Sequence, residues 1–202
     1  MRGSSIARVG RRPVPTLWGG WSLALLALLV MRALLAFGLI TAAAAASPHE
    51  HGVARLDVAV DAGRVSIELD TPLDNLLGFE RAPRSDAERD KVSAMVARLR
   101  AGDALFRIDT AAGCRLSKVE LASPLLGLSA PGRQSAAAAG EHGDLSGSFE
   151  FLCTQGARAG FLEVGLFDAF PALKRIDLQV ATPKGQLKAV LRRPASRVAL
   201  VR

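Results

Sequence analysis

Residues 54–70 read ARLDVAVDAGRVSIELD. Two runs alternate between apolar and polar side chains on either side of Asp61-Ala62-Gly63. A strand turns successive side chains to opposite faces, so Leu56, Val58 and Val60 share one face of the first run, and Val65, Ile67 and Leu69 share one face of the second. The pattern predicts a β-hairpin with one buried side.

Downstream, TPLDNLLGFERAPR (71–84) holds too much Pro and Gly for a long element. Leu76, Leu77 and Phe79 there read as core packing, and Glu80 is the one residue of the segment to consider as a neighbour of a metal. Ser85 and Glu88 in SDAE form a capping box. Val92, Met95, Val96 and Leu99 then recur at i, i+3, i+4 and i+7, the stripe of an amphipathic helix, with Gly102 as its natural stop. CRLSKVEL (114–121) and SGSFEFLC (146–153) predict two more strands, with Leu116, Val119, Leu121, Phe149 and Phe151 as core candidates. Between them, residues 128–145 read as a flexible loop rich in Ala, Gly and Ser. A second helix is predicted over RAGFLEVGLFDAF (158–170), ended by Pro171, and a last hairpin over 174–191 turns at Pro183-Lys184-Gly185. The order ββα-ββα-ββ predicts an α+β fold: an antiparallel sheet from three hairpins with two helices packed on it.

The first 46 residues carry Arg2, Arg8, Arg11, Arg12 and Arg32, no acid, two apolar runs and a final TAAAAA. A basic start, apolar middle and small-residue end make a secretory signal, with cleavage expected after Ala44, Ala45 or Ala46. Met31 opens a shorter complete signal, MRALLAFGLITAAAAAS, and is the expected true start. The competing reading is an uncleaved anchor, which Arg32 opposes by interrupting the roughly 20 apolar residues a bilayer needs. Residues 47–202 then form a single exported domain.

The chain has 26 Lys+Arg against 19 Asp+Glu, net +7. Five of the basic residues and none of the acids fall in residues 1–46, so residues 47–202 hold 21 against 19, net +2. That balance, without a basic stripe interleaved with aromatics, argues against nucleic acid as a partner. No G-x-S-x-G, P-loop or H-E-x-x-H is present, and there is no Tyr, so a binding protein is expected rather than an enzyme. Cys114 and Cys153 open one predicted strand and close the next; in an oxidising compartment one disulfide is expected, two buried thiols being the alternative.

The chain has three histidines. His49 and His51 lie in SPHEHG just behind the Ala run, and His142 lies in EHGD within the central loop. In an extended segment His49 and His51 point to one side, and neutral imidazole suits Zn(II). His142 supplies a third donor, with Asp144, Glu141, Glu50 or water as the fourth. Cu(II) or Ni(II) is a second reading of the same residues. An amino-terminal site with His at position three would follow cleavage after Ala46, but Pro48 lacks the amide proton that site must lose, so Zn(II) is preferred. An ordinary HxH copper site stays open.

HEHGVARLDVAV, IELDTPLDNLLGFERAP, AGCRLSKVEL, EHGDLSGSFEFLC and LFDAFPALKRIDLQVATPKGQ, in this order, resemble the ZrgA-like family of periplasmic zinc-binding proteins of Gram-negative bacteria. The resemblance runs over about residues 49–192. It implies an accessory of zinc acquisition working with a zinc ABC importer or its solute-binding protein, and paired cysteines. It also implies metal roles for His49, His51, His142 and Asp144. Two departures remove donors. The middle loop, RQSAAAAGEHGD, has one histidine, and Arg81 stands in GFERAP where the family commonly has histidine. Arginine keeps its proton and cannot ligate. A single site from His49, His51 and His142 is what remains. The alternative is a metal-free envelope or interaction module that keeps the fold and the disulfide.

Overall fold

The hairpin of residues 54–70 is the centre of the molecule. In the computed structural model, which describes residues 50–129 and 143–200, β1 (Val53–Val60) pairs antiparallel with β2 (Arg64–Pro72), Val58 opposite Ile67. Ala54, Leu56, Val58 and Val60 are buried from one strand, Val65, Ile67 and Leu69 from the other. Residues 1–46, with the expected cleavage positions and Met31, lie outside the described residues.

Four α-helices follow in the described residues: α1 (Asp74–Leu77), α2 (Asp86–Arg100), α3 (Gly102–Leu105) and α4 (Leu166–Ala169). Only α2 exceeds one turn. Ser85 caps it, its side chain accepting from the Glu88 N–H at 3.2 Å. Met95 and Leu99 of its stripe are buried, and Val92 and Val96 pack against the core at the margin.

The remaining strands are β3 (Phe106–Ile108), β4 (Cys114–Ala122), β5 (Asp144–Cys153), β6 (Phe161–Val164), β7 (Arg175–Thr182), β8 (Gly185–Arg192) and β9 (Arg197–Ala199). They form a six-stranded sheet, β4-β5-β2-β1-β7-β8, and a three-stranded sheet, β3-β6-β9. β1 and β7 run parallel, Leu56 opposite Leu178, and the other neighbours in both sheets are antiparallel. The smaller sheet packs on the larger: the Phe106 ring of β3 meets the Phe149 ring of β5 edge to face, centroids 4.8 Å apart.

The expected α+β fold class, an antiparallel sheet from three hairpins under two helices, therefore needs correction. The molecule is mostly β, its large sheet is mixed, and a second sheet replaces the second helix. Leu162, Leu166 and Phe170 recur at helical spacing, but residues 161–164 alternate as a strand, with Leu162 and Val164 buried. Gly165 breaks the chain there before the single turn of α4. Its N–H donates to the Leu105 carbonyl at 2.7 Å, and an added Cβ would lie 3.3 Å from the Ala104 carbonyl oxygen. Gly102 is not the stop of α2 but opens α3, where a Cβ would come within 2.7 Å of the Phe149 ring. The predicted central loop is shorter than 128–145 at its end, since Asp144 already belongs to β5; residues 130–142 lie outside the described residues.

Candidate metal centre

The parallel pairing of β1 and β7 fixes the corner that leads into β1. Gly52 turns there with φ +81°, and its carbonyl accepts from the N–H groups of Lys174 and Arg175 at 2.8 and 3.0 Å. On the other side, α1 brings Asn75 beneath the same corner. Asn75 is 2% exposed. Its Oδ1 accepts from the Gly52 N–H at 2.5 Å, and its Nδ2 donates to the Val53 carbonyl at 2.8 Å and to Thr71 Oγ1 at 2.9 Å. The backbone beneath His51 is thus tied to two elements distant in sequence.

His51 projects from that corner toward two carboxylates. Its Nε2 lies 3.1 Å from Glu80 Oε1 and its Nδ1 lies 3.7 Å from Asp74 Oδ2. The imidazole is 66% exposed, Asp74 34% and Glu80 15%, so the ring covers a largely buried acid. Asp74 stands in the first turn of α1, and Glu80 follows Gly78, whose φ of +81° ends that helix.

The other predicted donors fall differently. His49 and His142, and with them Glu141, lie outside the described residues. Asp144 opens β5 opposite Pro72, and the residue before it, Gly143, accepts from the Leu73 N–H at 2.8 Å. A Cβ on Gly143 would lie 3.1 Å from the Glu80 carbonyl oxygen, so β5 begins beside the Glu80 segment. Glu50 turns away from His51 and binds Arg175 through both carboxylate oxygens, at 3.3 and 2.7 Å. Among the described residues no three His, Cys, Asp or Glu side chains form a group able to hold an ion. Asp74 escaped the sequence reading, because a lone acid in a Pro- and Gly-containing segment carries no ligand spacing, and the short helix that places it was not predicted.

Arg81 serves the scaffold. Its guanidinium meets Glu88 with two bonds of 2.9 and 2.7 Å and stacks over the Phe79 ring at 5.0 Å. That hydrogen bonding, with further bonds from the N–H groups of Arg84 and Ser85, lowers the Glu88 carboxyl to about 2.

Cys114 and Cys153 are register partners on β4 and β5 and are joined in a disulfide. The family model for ZrgA family zinc uptake proteins matches residues 48–200, which takes in both sheets and the His51 corner. The chain belongs to the ZrgA family. No curated protein matches it. The ZrgA family match gives the His51 corner its chemical context: an imidazole seated on a largely buried carboxylate, in a member of a family of zinc uptake proteins. Imidazole nitrogen and carboxylate oxygen are both zinc donors, so the chemistry of these two side chains suits the ion. No helix among the described residues is long and apolar enough to cross a membrane.

Proposed function

We propose that this ZrgA family member is a non-enzymatic, exported zinc-binding protein of the periplasm that holds Zn(II) for uptake and delivers it to a zinc importer or that importer's solute-binding protein. His51 is the anchoring donor, and His49, His142 and Asp144 complete the set. The observation that carries the reading is the placement of His51 over Glu80 at 3.1 Å, on a corner held by Asn75. Sequence connectivity supports the rest. His49 is two residues from His51, and His142 directly precedes Gly143, which lies against the Glu80 segment.

Calorimetry of Zn(II) into the purified protein, beside His49→Ala/His51→Ala, tests this. One saturable site of micromolar or tighter affinity, lost in the double variant, is expected. No heat above dilution in the wild-type protein refutes it and favours the metal-free interaction module, for which crosslinking to an envelope partner is the next assay.

A further inference from the structure

The two nitrogens of His51 face different carboxylates, and the two distances differ in kind. Ligands at roughly 2.0–2.2 Å from one tetrahedral ion sit about 3.3 Å from each other. The 3.1 Å from Nε2 to Glu80 Oε1 is close to that ligand–ligand span, so an ion can bridge these atoms with little movement of either side chain. On the opposite edge of the ring, Nδ1 faces Asp74 Oδ2 at 3.7 Å. Metal-bound histidines usually donate their second ring N–H to a carboxylate, which fixes the tautomer and raises ligand basicity.

From this geometry we infer that Glu80 is a direct Zn(II) ligand beside His51 Nε2, and that Asp74 is the carboxylate that orients His51 through Nδ1. The inference rests on the zinc-binding reading above and deepens it. It assigns two acids, one as ligand and one as a positioning residue. The scaffold supports the division. Glu80 is 15% exposed and enters from the segment behind α1, so its carboxylate is placed by packing. Asp74 stands on α1, one residue before the Asn75 that clamps residues 52 and 53, so ring and orienting acid share one support. Neighbouring Arg81 is directed to Glu88 through two guanidinium hydrogen bonds. His51 and Glu80 alone do not fill a tetrahedral shell, so donors of the set proposed above or solvent oxygen take the remaining positions.

The test is titration of the full purified protein with Zn(II) by calorimetry and with Co(II) by visible absorption. Wild type is compared with Glu80→Gln, Asp74→Asn, His51→Ala and the control Glu120→Gln, a carboxylate on β4 paired with Lys118. Unfolding midpoints are recorded for each. Glu80→Gln is expected to weaken Zn(II) binding by about tenfold or more and to change the Co(II) spectrum, because a charged ligand has left the ion. Asp74→Asn is expected to weaken binding by about 10–100-fold while keeping the shape of the Co(II) spectrum, because it acts through the ring. Glu120→Gln stays at the wild-type value. Binding lost in His51→Ala but unchanged in Glu80→Gln overturns the assignment of Glu80 and leaves the zinc reading standing. A Co(II) spectrum altered by Asp74→Asn overturns its role as a positioning residue. No metal binding by the wild-type protein overturns both readings together.

Discussion

Replacing Asn75 by leucine keeps the branching and the number of side-chain heavy atoms in a site that is 2% exposed and removes three hydrogen bonds. The bonds are not equal in consequence. The Val53 carbonyl keeps a contact from Thr71 Oγ1 at 3.4 Å, and the Thr71 hydroxyl can turn toward it. The Gly52 N–H, which donates to Asn75 Oδ1 inside the fold, loses that acceptor outright. A buried polar group left without a partner costs about 1–3 kcal/mol, so with one group abandoned and a second weakened the expected loss is about 2–4 kcal/mol. Urea unfolding followed by circular dichroism reads the total. Amide hydrogen exchange at Gly52 reads the cause, since Asn75→Asp keeps the acceptor and so keeps Gly52 protected. A loss below about 1 kcal/mol, or equal Gly52 exchange in wild type and Asn75→Leu, refutes the view that this side chain holds the His51 corner.

Two further predictions concern the scaffold. The disulfide joins residues 39 apart, for which chain entropy gives about 4 kcal/mol, so Cys114→Ala/Cys153→Ala should lower the urea unfolding free energy by nearly that amount; a change under about 1 kcal/mol would contradict it. Glu88 has a folded pKa of about 2, below its ordinary 4.5, so the stabilisation from Arg81 is fully present above pH 4.5 and lost as pH falls toward 2. Arg81→Ala should therefore lower the melting temperature at neutral pH, with the gap from wild type closing through that acid range, and a gap independent of pH would assign Arg81's effect to its stacking on Phe79 instead.

Periodicity revealed the strands that are long enough to carry it. The β1–β2 and β7–β8 hairpins and the β4–β5 pair follow from apolar alternation over eight to ten residues per strand. β3 and β9 have three residues each, too few for alternation to be distinguished from chance. The parallel contact of β1 with β7 has no local signature at all. Both strands show a buried and an exposed face, and that pattern is the same whichever strand lies alongside. The turn chemistry was a surer guide than composition at Ser85, where the cap sits as its spacing requires. It misled at Gly102, whose small size answers the approach of Phe149 and not a left-handed turn.

The candidate metal centre was legible where chemistry is rare in the sequence and silent where it is common. Three histidines in 202 residues draw notice, and an acid at position 80 inside an apolar segment draws some; Asp74 draws none. The meeting of His51 with Glu80 and Asp74 depends on Asn75 tying residues 71–75 back onto residues 52–53, a contact between positions about twenty apart that neither stretch announces. Arg81 then sets the character of the site. A histidine there would add a donor next to Glu80, whereas Arg81 fastens the segment to α2 through Glu88 and removes that donor. On the proposed reading, an ion that enters between the exposed His51 imidazole and the largely buried Glu80 carboxylate must first displace their own 3.1 Å contact. Fewer nitrogen donors and a competing internal contact both favour release, which suits a protein that passes zinc onward better than one that stores it.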